Sequence, residues 1–164
     1  MQKTLLGNDK PNGGAETALW TTTLIVDDDY CRAARDVIAK AKSEVRLCAY
    51  AWRWYENEPE TEIQKLNVEL WRLQKRGVKV RCLVDTDAMQ KTFTTLGFNA
   101  RSVVNTRMLH TKAISSDANG LLIGSHNLTK RANSDNYEMS ILTTEFQVVD
   151  SFNNYFDRLW LSRG

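Results

Sequence analysis

His110, Lys112, Ser125 and Asn127 are the residues of this chain whose types and spacing could do chemistry. An imidazole can serve as nucleophile or proton carrier near neutral pH, while an ammonium and an amide hold the non-bridging oxygens of a phosphoryl group as charge builds on them. That is a kit for handling phosphate, and the scheme requires neither metal nor cofactor. The apolar residues Met108, Leu109, Ala113 and Ile114, followed by Leu121, Leu122 and Ile123, read as two short strands around Asn119-Gly120, a strong hairpin signal. Residues two apart on a strand share a face, so His110 and Lys112 point the same way. With Asn119-Gly120 as a two-residue loop, Lys112 lies opposite Asn127 and Ile114 opposite Ser125, and all four side chains converge. A loop of odd length would bring His126 to that face in place of Asn127.

The complete spacing is H-x-K-x4-D-x6-G-S-x-N, with Asp117 and Gly124 as its remaining members. It resembles one copy of the signature of the phospholipase D superfamily, and within it the small single-motif bacterial endonucleases. Leu128-Thr129 and Asn136-Tyr137-Glu138 are similar to the family's following segment, so the likeness extends over about residues 20–162. The resemblance implies a phospholipase D-like α/β fold, a mixed β-sheet flanked by helices on both faces. It also implies a two-step phosphodiester transfer. One histidine attacks phosphorus to give a phosphohistidine, a second protonates the leaving oxygen, and water or an alcohol resolves the intermediate. Lys112, Ser125 and Asn127 would bind the phosphate oxygens, and Glu138 would orient the histidine through its other ring nitrogen. Asp117 stands among the catalytic candidates as a motif member, although an Asp just ahead of a glycine is also an ordinary turn residue. Short family members with one motif copy build a single site across a symmetric homodimer, and the same is expected here. His126 is the rival second histidine, in the variable position of G-S-x-N.

These residues need a scaffold, and 164 residues suit one α/β domain, here residues 19–164, that buries roughly 70% of its unfolded surface. Residues 1–18 hold Gly7, Pro11, Gly13 and Gly14 and read as a flexible arm. The net charge of +2 announces neither a nucleic-acid tail nor a membrane-surface patch. Cys31, Cys48 and Cys82 fall in apolar segments without metal-ligand spacing and read as buried thiols. With no apolar leader and no membrane-length stretch, a cytoplasmic setting without stable membrane insertion is expected.

In order, strands are expected over Thr22–Val26, Val45–Ala51, Val78–Val84, Arg101–Val104 and Tyr137–Leu142. Helices are expected over Tyr30–Lys42, Glu60–Arg76, Asp85–Leu96 and Glu145–Leu161, with one further turn within Leu128–Ser134. Asp27-Asp28-Asp29 would cap the first helix, and Gly77 would close the second. Trp52 and Trp54, just past the second strand, would either wall a substrate site or cap the core or a dimer seam. Lys75, Arg76, Lys79 and Arg81 would either track a phosphate backbone or form a solvated helix end.

The leading reading is a metal-independent nuclease without sequence-specific readout, with DNA or RNA as its partner. A phospholipase D or phosphatidyl transferase, and an inactive nucleic-acid-binding subunit of a larger assembly, are the alternatives.

Overall fold

The segments rich in Val, Ile and Leu form strands, and the amphipathic ones form helices. In a computed structural model describing residues 20–103, 107–118 and 120–162, the strands are β1 (Thr22–Val26), β2 (Glu44–Ala49), β3 (Lys79–Val84), β4 (Asn99–Ser102), β5 (Lys112–Ser116), β6 (Gly120–Gly124) and β7 (Met139–Thr143). The helices are α1 (Tyr30–Ala39), α2 (Glu62–Lys75), α3 (Asp87–Thr95), α4 (Lys130–Ser134) and α5 (Phe146–Leu161). The expected N-terminal arm lies outside the described residues.

One mixed sheet runs in the order β1-β7-β6-β5-β2-β3-β4. Strands β2, β3 and β4 are parallel, with α2 and α3 as their crossovers, and the remaining pairings are antiparallel. Alternation along the strands loads both faces. Val45, Leu47, Val80, Cys82, Ile114 and Leu122 pack with α1, α2 and α3, while Cys48, Leu83, Ala113 and Leu121 pack under α5. Helices therefore flank both faces, as expected. Cys31, Cys48 and Cys82 are all buried free thiols.

Charge pairing fixes α5 on its face. Arg81 reaches Glu44 at 2.6 Å and Asp157 at 2.5 Å, and Arg46 joins the same two carboxylates. Arg101 lies over the Trp160 ring at 4.4 Å. Arg81 is thus committed to the sheet–helix junction and cannot track a phosphate backbone, which corrects that reading of the basic run.

Several boundaries differ from expectation for identifiable reasons. Helix α1 stops at Ala39 because the amides of Lys42 and Ser43 donate to the Asp117 carboxylate at 2.9 and 2.7 Å instead of continuing the helix. Asp29 stands at the N-cap of α1, but its side chain makes no capping bond, so the three aspartates do not cap the helix through their carboxylates. They form a single 3-10 turn in which Asp27 takes a φ of 48°, and its Oδ1 accepts the Glu138 amide at 3.0 Å. Helix α3 starts at Asp87 because Thr86 supplies the cap, accepting from the Met89 amide, while Asp85 accepts from the Leu109 amide. The fourth strand is Asn99–Ser102 and not Arg101–Val104, set by its parallel pairing with β3 from Arg81↔Asn99 onward; Val104 lies outside the described residues.

The hairpin is the main correction. Ser116 pairs with Gly120 and Lys112 with Gly124, so Gly120 belongs to β6 and three residues, 117–119, make the connection. The local Asn-Gly preference yields to a tertiary one. Asp117 uses its carboxylate on Lys42 and Ser43 and its own amide on the Glu44 carbonyl, which holds the chain back from turning two residues later.

Candidate active site

The odd connection puts Lys112 opposite Gly124, and parity then assigns His126 to the face of His110 and Lys112, as an odd loop requires. His126 nevertheless does not enter the site. It is buried, stacked on Tyr30 with centroids 4.5 Å apart, with Nδ1 2.8 Å from Ser140 Oγ and Nε2 2.9 Å from the Asp27 carbonyl. A carbonyl can only accept, so Nε2 carries the proton and Nδ1 accepts from Ser140. Burial pushes this imidazole below its ordinary value, against the opposing effect of the Asp27 bond.

His110 and Lys112 come together beside the carboxyl end of β2, where open α/β sheets place their ligands. The His110 side is exposed, whereas Lys112 is buried. Lys112 Nζ lies 2.7 Å from the His110 carbonyl and 3.0 Å from His110 Nδ1. An ammonium has only donors, so Nδ1 accepts and the proton of the neutral ring sits on Nε2. Burial pushes the Lys112 ammonium down from its ordinary value, and the charge of Glu138 opposes this. Tyr50, the first residue after β2, packs its ring against His110 with centroids 4.6 Å apart and under Lys112 Nζ at 4.9 Å. Sequence reasoning missed Tyr50, although its place at a strand's carboxyl end was a usable signal.

Ser125 and Glu138 form the other half. Ser125 Oγ donates to Glu138 Oε2 and accepts the Met139 amide at 3.0 Å, and Ser125 N donates to the Met139 carbonyl at 2.9 Å. Asn136 donates to Glu138 Oε1 at 2.9 Å. Within one copy, then, Glu138 bonds Ser125 and Asn136, where the resemblance had it orienting a histidine. Asn127 lies beside the chain past β2, since the Leu128 amide donates to the Ala51 carbonyl and the Arg53 amide to the Leu128 carbonyl. Its Oδ1 is buried without a partner.

Two expected participants are elsewhere. Asp117 follows β5 at the end away from His110, five residues or about 16 Å along the chain from Lys112, and anchors the Lys42-Ser43 turn. Burial would raise its carboxyl, but the bonds from Ser43 and Lys42 hold it below the usual range. Its carboxylate is thus engaged by the Lys42-Ser43 turn and is not brought together with His110 and Lys112. Trp52 is buried, stacked on Phe93 with centroids 3.5 Å apart and donating Nε1–H to Asn67 at 2.7 Å, so it cannot wall a substrate site. Trp54 is half-buried at the rim of the same core, edge-on to Phe98.

The strand order and this arrangement at the strand ends define an α/β protein of the phospholipase D-like fold. Residues 34–160 match the family described as cardiolipin synthase, PLD-like domain, and the chain belongs to that family, within the phospholipase D superfamily of phosphodiesterases. A mitochondrial cardiolipin hydrolase of Mus musculus is 27% identical over 135 residues, covering 79% of this chain and 57% of that protein. The chain thus spans little more than half the length of this relative. Among solved structures, a phospholipase D family member, Nuc from Salmonella typhimurium, superposes with a TM-score of 0.70 at 22% identity, over 88% of this chain and 97% of Nuc. NucT from Helicobacter pylori gives 0.69 at 18%, over 88% and 98%. Among the described residues, no helix is long and apolar enough to cross a membrane.

Proposed function

We propose that the chain is a metal-independent phosphodiesterase that cleaves nucleic acid without reading its sequence, through a phosphohistidine on His110, at a site completed by a second copy. One observation carries the shared site. The chain has two histidines, and His126 is buried with both ring nitrogens occupied, which leaves His110 as the histidine facing solvent at the site. Displacement at phosphorus needs a nucleophile and a proton donor for the leaving oxygen, and in this reading one His110 comes from each copy. In a single copy Nδ1 accepts from Lys112 and the neutral ring holds its proton on Nε2. To protonate the leaving oxygen the ring must be an imidazolium, protonated at both nitrogens, since a neutral ring cannot give up its last proton near neutral pH. The attacking ring needs the other tautomer, with Nε2 unprotonated and Nδ1–H held by an acceptor; the Lys112 ammonium then turns from Nδ1 to the phosphoryl oxygens, and a Glu138 carboxylate brought across by the second copy takes its place. Lys112 and Asn127 hold the phosphoryl oxygens, with Ser125 assisting and the buried Asn127 Oδ1 free to accept a donor from substrate or partner.

The surface beside the site suits a second copy. Leu24, Val26, Met139 and Ile141 pair across β1 and β7 on the side that α5 leaves uncovered, each between 40% and 56% exposed. Met139 is also bonded to Ser125, so a two-fold axis through this apolar strip brings two sites together. Arg53, whose amide bonds the Leu128 carbonyl next to Asn127, Arg107, three residues before His110, and Arg131 are exposed and suit a polyanion.

A second reading, a lipid phosphodiesterase, is favoured by the family's description and by the cardiolipin hydrolase relative. Single-stranded DNA, RNA and a short-chain phospholipid, offered side by side in excess EDTA, separate the two. The expected result is cleavage of nucleic acid undiminished by the chelator, because histidine and lysine carry the nucleophile and the charge stabilisation themselves. Cleavage of phospholipid alone would establish the second reading. Loss of activity in EDTA, restored by magnesium, would sink the phosphohistidine scheme.

A further inference from the structure

We infer that Tyr50 is a positioning residue of this site, whose aromatic ring is the common surface that holds the His110 imidazole and the Lys112 ammonium in one arrangement. The inference rests on the phosphodiesterase reading above and extends it to a residue outside the H-x-K signature.

The geometry is specific. Lys112 Nζ meets the His110 carbonyl at 2.7 Å, His110 Nδ1 at 3.0 Å, and the Tyr50 ring centroid at 4.9 Å, with the Glu138 charge also acting on it. The same ring meets the imidazole at a 56° tilt with centroids 4.6 Å apart. Tyr50, His110 and Lys112 therefore form a closed triangle in which each side chain touches the other two. The triangle has a chemical use. Lys112 is buried, which disfavours its charge, and the face of an aromatic ring offers a cation negative potential without accepting its protons. The ammonium's protons stay available for His110 and for phosphate oxygens. An aliphatic side chain in this place would fill space but offer no such potential, and the imidazole would lose the flat wall that limits its rotation. Register alone would set Ala49 opposite Lys112 and Tyr50 opposite Thr111, on the other face; β2 ends at Ala49 and the chain bends at Tyr50, where its ring meets both His110 and Lys112.

The test uses the whole chain and a generic probe, the chromogenic diester bis(4-nitrophenyl) phosphate, with Tyr50→Phe, Tyr50→Leu and Tyr50→Met. If the ring positions the pair, Phe keeps kcat within about threefold, whereas Leu and Met lower it at least about tenfold with KM changed by less than about threefold. The alkaline limb of the pH profile should move to lower pH in Leu and Met and stay in place in Phe, because the ring favours charged Lys112. Activity is normalised to folded protein by circular dichroism, and Met, which fills volume without a π face, preserves the test if Leu unfolds. The inference is overturned if Leu or Met keeps kcat within threefold, if Phe loses as much as they do, or if the pH profile is unmoved. Those results leave the phosphodiesterase reading standing, whereas a wild-type chain that cleaves no phosphodiester overturns both.

Discussion

Replacing His110 by Asn is expected to lower turnover at least about a thousandfold while leaving folding and substrate binding in place. The loss is large because the reactive atom itself is removed. The structure also explains why the fold should tolerate it. The His110 side is exposed, and its imidazole touches the Lys112 ammonium and the Tyr50 ring, while the stronger tie from Lys112 goes to the His110 carbonyl, which Asn retains. Stability should shift by no more than about 1 kcal/mol, measured by urea denaturation. Glu138→Gln should be milder in turnover, because it weakens an orienting acceptor and keeps every reactive atom. A His110→Asn chain that cleaves normally, or that unfolds, would show this histidine to be structural. An inactive nucleic-acid-binding subunit would bind equally well with either residue and cleave with neither.

Gly124→Ala should cost about 2–4 kcal/mol of stability and remove activity as well, since it combines overpacking with loss of hydrogen bonds. A methyl at this position would overlap the Met139 carbonyl, Ser140 Oγ and Ser140 Cα. Two of those three atoms are backbone, so β6 and β7 must part. Their separation would break the bonds between Ser125 and Met139, and the displaced Ser140 hydroxyl would leave His126 Nδ1 buried without its donor. The glycine of the motif is thus there for strand contact and not for chemistry. A denaturation midpoint and turnover both close to wild type would refute that account.

Much of this architecture was legible in the chain. The stretch Val78–Val84, which alternates and then becomes continuously apolar from Cys82, signalled an internal strand, and the stripe of Ile63, Leu66, Leu70 and Leu73 signalled α2. The H-x-K pair was legible because two residues on one strand share a face whatever the pairing. What failed depended on partners remote in sequence. The hairpin was misread by one residue because Asp117 bonds Lys42 and Ser43, more than seventy positions away. The same long-range bonds ended α1 early. For Trp52 and Trp54 the chain left a substrate wall and a cap on the core equally open; the buried Asn67 amide that receives the Trp52 indole N–H holds that ring in the core. Tyr50 went unnoticed because its ring acquires meaning once β2 and β5 pair.

The central claim is that one active site takes His110 from two copies, and subunit mixing tests it most directly. Wild type and His110→Asn are combined in equal amounts, and exchange is confirmed by a mass tag on one partner. Random re-association leaves about a quarter of the dimers wholly wild type, and a mixed dimer has no intact site. Activity should therefore settle at about a quarter of that of the same total protein as pure wild type. Retention of about half after complete exchange would mean that each chain works alone, and would contradict the shared site.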